Sequence, residues 1–378
     1  KLSTNFQNCS LDKNKDIYVT KPILPPLAEC MPLIQQVWES AQLTNNGPLV
    51  QEFEKSLGNY LGVKNVSMVN NATTGLMIAQ KALGFRGEII TTPFSFIATA
   101  HAIEWLGLKP VFVDSDENYG NLDPNKVEDS INERTGGILA SHNFGFPAEI
   151  ENLSKIARKH KLPLVFDGAP AIGVRYKGKS ITAYGDACVL SFHATKIFTT
   201  LEGGAIVSKT KKTKTTIDQL RNFNIRNEEE IGGPGINGKM NEFQAAIGLT
   251  GLKHIDETIR TRQNRYKRYE RALREYPKVV IPEIKENWEY NYSYFPIFLN
   301  EGLERREWVF SELKRNKIHC RKYWYPLINK HPCYLKENDE TQVSQALSES
   351  VIALPMGNDV SKSSIDLITR IIIKIINE

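Results

Sequence analysis

The sequence lacks the features that mark secreted, zinc-binding and hydrolytic proteins. It has only five cysteines in 378 residues, an odd number with no CxxC spacing, so neither a disulfide framework nor a zinc site is indicated. It contains no GxSxG elbow and no HExxH motif, and therefore gives no sign of a serine hydrolase or a zinc protease. We expect no metal ion, and a reducing compartment suits the few cysteines.

Segments that would direct the chain to a membrane are also missing. Residues 1–16 are polar and lack the apolar core of a signal peptide. The apolar run 371–376 is short, contains Lys374 and follows Arg370, so it cannot span a bilayer. The net charge of +5, from 48 basic and 43 acidic residues, is too small to indicate nucleic acid but suits an anionic small molecule. We therefore expect a cytoplasmic protein with neither a membrane nor a nucleic acid as partner.

What the sequence does have is a series of short apolar runs, rich in β-branched residues, at steps of 17 to 27 residues. Helix-like stretches fill the first four intervals, a pattern that predicts strand–helix–strand units with parallel pairing. The last step, 17 residues, is too short for a helical crossover and predicts an antiparallel strand. The result is an expected α/β fold with a seven-stranded, mostly parallel sheet, its strands centred on Val66, Ile89, Phe112, Leu139, Val165, Val189 and Ile206.

This pattern changes after Gly248. Residues 252–275 have the character of a long charged helix, and shorter strand-like and helical runs follow it. With 41% apolar and 24% charged residues, a chain of this length has enough material for a large domain and a smaller one. We predict a polar tail at 1–16, a large domain at 17–248 and a smaller α+β domain at 249–378.

Ligands of open parallel sheets bind beyond the carboxyl ends of the strands. Residues 71–75 (NATTG) follow the first strand and open a helix, which suits a phosphate, although an ordinary Thr N-cap has the same pattern. Phe96 follows the second strand, where an aromatic side chain would also suit the core. Asp167 ends a buried strand and needs a partner there. Lys196 follows the next strand, and these groups are predicted to face one pocket.

Together these groups are the ones needed to hold pyridoxal 5′-phosphate. A lysine forms a Schiff base with its aldehyde, a carboxylate pairs with its pyridinium nitrogen and an aromatic ring stacks on the heterocycle. Residues 233–238 (GPGING) match a dinucleotide fingerprint, but they follow an acidic stretch and not a strand, which argues against that interpretation. His142 and His193 have no second metal ligand at a helical spacing.

Residues 191–196 (SFHATK) and 202–205 (EGGA) resemble the lysine segment of the DegT/DnrJ/EryC1/StrS sugar aminotransferases. The resemblance implies a fold-type-I enzyme that uses pyridoxal phosphate, with helices on both faces of its sheet, and that acts on nucleotide-linked keto sugars. Further blocks that resemble this family occur in order along the chain, at residues 43–48 (LTNNGP), 92–99 (TPFSFIAT), 110–114 (PVFVD), 121–124 (NLDP) and 235–242 (GINGKMNE).

The resemblance implies a role for each matching residue. Lys196 resembles the Schiff-base lysine and general acid–base, and Asp167 the partner of the pyridinium nitrogen. Asn237 resembles an asparagine that reaches the phosphate of the neighbouring subunit's cofactor, which implies a homodimer with shared active sites. The other implied cofactor contacts are Phe96 at the ring and Ala72, Thr73 and Ser191 at the phosphate.

Within the family, His193 and Glu202 resemble the enzymes that aminate C4 of a 4-keto-6-deoxy sugar, and His193 is predicted to be catalytic. The resemblance to the viosamine-forming group implies transfer of the amino group of L-glutamate to dTDP-4-keto-6-deoxyglucose. Thr44, Tyr323 and Tyr325 are predicted to contact this substrate. The alternatives are amination at C3, a GDP-linked (perosamine-type) substrate and a non-catalytic regulator that binds pyridoxal phosphate. Lys196 argues against the regulator and against the dehydratases of this family, in which histidine replaces the lysine.

Three positions depart from the family pattern. Pro170 stands where Gln or His usually lies near the phenolic oxygen of the cofactor, so a hydrogen-bond donor is missing there. Gly168 replaces a usual alanine, a change that we expect to be harmless. Residues 238–239 (GK) stand where the family often has an aromatic residue and an arginine.

Overall fold

The computed structural model describes residues 16–335 and 340–378. The predicted polar tail therefore lies outside the described residues, apart from Asp16. The strands of the described residues are β1 (Ile17–Tyr18), β2 (Val66–Val69), β3 (Glu88–Thr91), β4 (Lys109–Phe112), β5 (Thr135–Ser141), β6 (Leu164–Asp167), β7 (Arg175–Tyr176), β8 (Lys179–Ser180), β9 (Ala187–Ser191), β10 (Gly204–Ser208), β11 (Val279–Val280), β12 (Trp288–Glu289), β13 (Phe295–Leu299), β14 (Ile318–His319) and β15 (Val351–Leu354).

The α-helices connect these strands and cover the sheets. In chain order they are α1 (Leu27–Ser40), α2 (Pro48–Leu61), α3 (Ala72–Ala82), α4 (Ala98–Glu104), α5 (Pro124–Asp129), α6 (Ile150–His160), α7 (Lys211–Leu220), α8 (Glu242–Leu252), α9 (Ile255–Leu273), α10 (Gly302–Arg315), α11 (Gln342–Ser350) and α12 (Lys362–Ile376).

The central sheet has seven strands in the order β2–β10–β9–β6–β5–β3–β4. Strand β10 is antiparallel to both of its neighbours, β2 and β9, and the other four pairings are parallel. The predicted seven-stranded, mostly parallel sheet with an antiparallel last strand is confirmed. The prediction succeeded because strands covered on both faces need apolar residues at almost every position.

Apolar side chains bury the sheet on both faces. On one face Val165, Val189 and Ile206 pack with α3 and α7, through side chains such as Leu76 and Ile217. On the other face Phe166, Leu190 and other side chains belong to a larger cluster that also includes Phe53 of α2 and Tyr269 of α9. The sheet is therefore the middle layer of a three-layer sandwich, as expected for strands with helical crossovers.

The part of the chain after residue 248 forms a second, three-stranded antiparallel sheet, β11–β13–β15, packed with α9, α10 and α12. The predicted helix at 252–275 is present as α9, from Ile255 to Leu273, and α8 precedes it as a separate helix. The larger apolar cluster contains side chains from both parts of the chain, from Val37 to Ile376. The division into domains at residue 248 stays a prediction.

Two details of the fold differ from what the sequence predicts. The interval before β9, predicted to be a loop, contains the short hairpin β7–β8, to which β12 adds as a third strand. The helix predicted after β3 is only seven residues long. Over residues 16–335 and 340–378 we find no helix with the length and apolar character that a bilayer crossing requires.

Candidate active site

The predicted site residues lie at the edge where the strands of the central sheet end. Asp167 is the last residue of β6 and pairs with Ser141, the last residue of β5. Ser191 ends β9 and pairs with Gly204, the first residue of the antiparallel β10. Helix α3 begins at Ala72, directly after β2, so the turn, the carboxylate and the lysine segment meet at this edge.

The Asp167 carboxylate is buried and has few partners. Its Oδ2 accepts a hydrogen bond from Thr99 Oγ1 at 2.8 Å, and its Oδ1 accepts one from the backbone N–H of Ala169 at 3.1 Å. Burial raises the pKa of the carboxyl, while the two hydrogen bonds and the charge of Lys196 oppose the shift. Because a carboxylate can accept about four hydrogen bonds, Asp167 keeps capacity for a ligand.

Lys196 lies in a tightly closed loop between β9 and β10. The carbonyl of Phe192 accepts hydrogen bonds from the N–H of Thr200 and from the Thr199 hydroxyl, and the Phe192 and Phe198 rings pack edge to face at 4.9 Å. These contacts fix the loop from both sides. Within the described residues the Lys196 amine has no hydrogen bond or ion pair recorded, so it is available to a ligand.

The turn before α3 offers backbone N–H groups to an anion. The Asn71 side chain caps the helix by accepting from the N–H of Thr74 at 2.8 Å. The N–H groups of Ala72 and Thr73 lie in the first turn, where a helix has no internal acceptors. A Cβ at Gly204 would lie 2.7 Å from the Leu190 carbonyl and 3.1 Å from the Ala72 nitrogen. Glycine at 204 therefore lets β10 pass close to this turn.

His193 is near Glu202 but does not reach Asp167 through any recorded contact. Its Nδ1 lies 2.8 Å from the Thr195 hydroxyl, and its Nε2 lies 3.6 Å from Oε1 of Glu202. Its backbone N–H donates to Ser191 Oγ at 3.3 Å. Both side chains are about half exposed, so the pair lies at the border of the site and not at its base.

Phe96 and the predicted substrate tyrosines line a cavity of about 720 Å³ next to this edge. The Phe96 side chain is 57% exposed, and its ring centroid lies 5.8 Å from that of Trp324. Tyr325 lies over the guanidinium of the buried Arg306 at 4.3 Å. Tyr323 and Tyr325 thus line the same cavity as Phe96, and their contact with substrate stays a prediction.

Three other predicted positions lie apart from this group or contribute no donor to it. Thr44 is exposed in the segment before α2. Asn237 is also exposed, and only its backbone carbonyl, which accepts from Asn70 Nδ2 at 3.3 Å, has a recorded side-chain partner. The backbone carbonyl of Pro170 accepts from Asn291 and Ser293, and the proline ring supplies no donor.

Sequence reasoning gave no role to several side chains of the site. Thr99 binds the Asp167 carboxylate directly, and Ser95 and Ser141 lie behind Thr99. Trp324 lines the same cavity as Phe96 and lies next to its ring. Ser95 and Thr99 lie in the segment between β3 and the second residue of α4, and serine and threonine are too common in turns and caps for this position alone to indicate a role.

These residues fit pyridoxal phosphate. Ala72, Thr73 and Ser191 would hold the phosphate, Asp167 the ring nitrogen and Lys196 the aldehyde. The fit rests on three features of the chain, namely the unpaired acceptor capacity of Asp167, the available amine of Lys196 and the close approach that Gly204 permits. The fold and the site thus define an enzyme that depends on pyridoxal phosphate.

Comparison with known proteins extends this assignment. Residues 28–373 match the DegT/DnrJ/EryC1/StrS aminotransferase family, and the chain belongs to this family. It is therefore an aminotransferase, and the predicted fold class, cofactor and enzyme class are confirmed.

Individual relatives are similar along nearly the whole chain. A dTDP-4-amino-4,6-dideoxy-D-glucose transaminase of Escherichia coli is 41% identical, over 95% of this chain and 99% of its own. GDP-perosamine synthase of Caulobacter vibrioides is 30% identical, over 94% of each chain. The crystal structure of DesI in the presence of its TDP-sugar product is 31% identical, with a TM-score of 0.92, and the match covers 97% of this chain and 94% of that one.

Proposed function

We propose that this enzyme transfers the amino group of L-glutamate to C4 of a nucleotide-linked 4-keto-6-deoxy sugar. The acceptor we propose is dTDP-4-keto-6-deoxyglucose, and the product is dTDP-4-amino-4,6-dideoxyglucose. The observation that carries this proposal is the 41% identity, over 95% of the chain, to a transaminase named for that product. The 30% identity to GDP-perosamine synthase gives a GDP-linked acceptor weaker support.

Lys196 is the proposed general acid–base. When bound, pyridoxal phosphate supplies an aldehyde that condenses with amines and a pyridinium ring that draws electrons from the bond being broken. The Lys196 amine would take the proton from the α-carbon of L-glutamate and later return a proton to C4 of the sugar. The closed loop around Phe192 holds the amine at the sheet edge, where both substrates must enter.

Asp167 would keep the ring nitrogen protonated by pairing its carboxylate with it. The hydrogen bonds from Thr99 and Ala169 fix the plane of the carboxylate, and burial strengthens its interaction with a cation because little water competes. The N–H groups of Ala72 and Thr73 would hold the phosphate, with Ser191 beside them. Phe96 would cover the ring.

His193 and Glu202 lie between the proposed cofactor-binding residues and solvent. We propose that His193 contacts the sugar nucleotide there or takes part in the proton transfer. Their half-exposed position supports contact with substrate more than burial of charge. Thr44, Tyr323 and Tyr325 are the proposed substrate contacts, and the cavity of about 720 Å³ lined by both tyrosines supports the latter two.

We also propose that the enzyme works as a cytoplasmic homodimer in which Asn237 completes the neighbouring site. Asn237 is exposed in a single chain, and exposed apolar side chains surround its loop, among them Phe223, Ile225, Ile231 and Ile236. Apolar surface of this kind is costly to leave in water. A light-scattering mass near that of one 42.8 kDa chain would contradict the dimer.

The test of the proposed reaction is glutamate-dependent amination of a panel of dTDP-, UDP- and GDP-linked keto sugars, with the products identified by mass spectrometry and NMR. We expect the dTDP-linked 4-keto-6-deoxy sugar to react fastest and to be aminated at C4. Lys196→Ala should abolish turnover and the visible absorbance of the bound cofactor. Lys209→Ala, which changes an exposed lysine paired with Asp186, is the matched control and should behave as the unaltered enzyme.

The other outcomes separate the alternatives. A preference for the GDP-linked sugar would show that the proposed dTDP nucleotide is wrong. Amination at C3 would show that the proposed position of amination, C4, is wrong. Absence of any amination by protein that binds the cofactor would favour the non-catalytic regulator. Turnover by the Lys196→Ala variant would contradict the proposed role of Lys196 as general acid–base.

A further inference from the structure

Three buried hydroxyl groups form a continuous chain that ends on the Asp167 carboxylate. Ser141 Oγ lies 3.0 Å from Ser95 Oγ, Ser95 Oγ lies 2.9 Å from Thr99 Oγ1, and Thr99 Oγ1 lies 2.8 Å from Asp167 Oδ2. All four residues are less than a tenth exposed. The hydrogen-bonded residues come from three separate elements and a loop, because Ser141 ends β5, Ser95 precedes α4, Thr99 lies within α4 and Asp167 ends β6.

The direction of each hydrogen bond follows from the number of protons. An ionised carboxylate only accepts, so the single hydroxyl proton of Thr99 goes to Asp167. Thr99 must then accept from Ser95, and Ser95, whose proton is used, must accept from Ser141. All three hydroxyl groups therefore point their protons toward the carboxylate, and each bond polarises the next.

We propose that Ser141, Ser95 and Thr99 are positioning residues that hold the Asp167 carboxylate ionised and aimed at the cofactor ring. The inference rests on the proposed function, in which Asp167 pairs with the ring nitrogen. Its basis is the geometry of the chain: a buried carboxylate without a fixed cation needs donors that favour its charged form.

The titratable groups around Asp167 do not replace this chain. The charge of Lys196 also lowers the pKa of Asp167, but this lysine is the same in every variant compared below and therefore cannot produce differences between them. Cys188 on the neighbouring strand has a thiol pKa that burial and the Asp167 charge both raise, so it stays neutral. His142, after β5, stacks on Phe166, and burial lowers its pKa to about 3, so it is also neutral.

The experiment measures the pKa of Asp167 in the full-length protein without cofactor and, separately, the dissociation constant of pyridoxal phosphate. Aspartate labelled with ¹³C at the carboxyl carbon gives one resonance per residue, and Asp167→Asn identifies the relevant signal. The variants are Thr99→Val, Ser95→Ala and Ser141→Ala. Thr99→Ser keeps the hydroxyl and tests rescue. Thr91→Val is the matched control, because the buried Thr91 hydroxyl donates to the Leu139 carbonyl outside the chain.

We expect a graded result. Thr99→Val should raise the pKa of Asp167 by about one unit, because it removes a hydrogen bond to a charged group, and should weaken cofactor binding roughly tenfold. Ser95→Ala should raise the pKa by about a third as much and Ser141→Ala by less, since they act through polarisation. Thr99→Ser and Thr91→Val should leave the pKa unchanged.

Two results would overturn the inference: equal effects of Thr99→Val and Thr91→Val, or no effect of Ser95→Ala and Ser141→Ala on either quantity. Failure of the proposed function has a different signature. If the unaltered protein did not bind pyridoxal phosphate, the pairing of Asp167 with a cofactor would fail, while the NMR titration would still show whether the hydroxyl chain controls the carboxylate.

Discussion

Two buried aspartates near the carboxyl edge of the central sheet have opposite surroundings. Asp114 follows β4 and is 4% exposed, and Asp167 ends β6 and is 8% exposed. The Asp114 carboxylate accepts from Lys126 Nζ at 2.9 Å and from the N–H and hydroxyl groups of Ser344 at 2.7 and 2.6 Å. Asp114 therefore connects the first turn of α11, which contains Ser344, to the central sheet.

This difference in partners gives the two carboxyl groups opposite pKa shifts. Burial alone would raise the pKa of Asp114, but the hydrogen bonds from Ser344, Lys126 and Val343 outweigh it and lower the pKa. Asp167 has two donors and no fixed cation, and burial leaves its pKa raised. A buried carboxylate whose acceptor sites are filled stabilises the fold, whereas one with acceptor sites left over is suited to a ligand.

The largest expected effect comes from Asp167→Asn, which keeps the shape of the side chain but removes its charge. We expect turnover to fall by about two to four orders of magnitude, the range over which positioned acid–base groups contribute. The stability of the cofactor-free protein should stay the same or increase, since burying a charge carries a desolvation cost. Steady-state kinetics and urea unfolding measure the two effects.

Asp114→Asn is the matched counterpart and should show the reverse pattern. It weakens the contacts to Ser344 and Lys126, so we expect a loss of about 1–3 kcal/mol in the free energy of unfolding. Cofactor affinity should not change, because the long-range side-chain partners of Asp114 belong to α5 and α11 and not to the turn before α3. A comparable fall in turnover for both variants would show that the comparison between the two aspartates is wrong.

The sequence predicted the seven strands of the central sheet because each one is buried on both faces and therefore apolar throughout. Helices α1 and α2 were not placed from the sequence. The start of α2 depends on Glu242, which is 193 residues from the N–H of Leu49 that it binds. It also binds the N–H of Val50, and a contact at such a separation leaves no local pattern.

The site was predicted from residues at or soon after strand ends: Asp167 is the last residue of β6, and Lys196 lies in the loop that follows β9. The hydroxyl groups of Ser95 and Thr99 were not predicted, although both lie in a segment that resembles the family. Serine and threonine are common in turns and caps, so their role becomes visible only when folding brings β5, β6 and α4 together. Sequence position also fails to distinguish Asp114 from Asp167, because each aspartate lies at or near the end of a strand. Only the hydrogen-bond partners in the folded structure show which of the two has acceptor sites left for a ligand.

A third prediction tests how tightly the region around Asp167 is packed. A methyl group on Gly168 would lie 2.6 Å from Cys188 Sγ, so Gly168→Ala should destabilise the protein by about 1–3 kcal/mol through overpacking. Glycine in place of the family's usual alanine, which we expected to be harmless, therefore leaves the space that the Cys188 side chain occupies. Cys188→Ala in the Gly168→Ala background should restore part of the loss, and an additive double-mutant cycle in urea unfolding would mean that the two side chains do not interact.

The smallest expected effect is the pH dependence of stability in the cofactor-free variants. An unfolded aspartate titrates near pH 3.9. The pKa of Asp114 is lowered in the folded protein, so its charge stabilises the fold above pH ~3.9 and loses this effect as the pH falls through the folded value. The pKa of Asp167 is raised, so its ionisation costs stability once the pH exceeds ~3.9.

The two Asn variants should therefore differ from the unaltered protein in opposite directions at neutral pH, with Asp114→Asn less stable and Asp167→Asn more stable. Each difference should shrink toward zero as the pH falls below both the folded-state and the unfolded-state pKa of the aspartate concerned. That aspartate is then uncharged in the folded and in the unfolded protein. Urea midpoints measured between pH 3 and 7 give the sign of each difference. Changes of the same sign in both variants would mean that the two carboxylates share one role, and the distinction between a structural and a ligand-binding aspartate would fail.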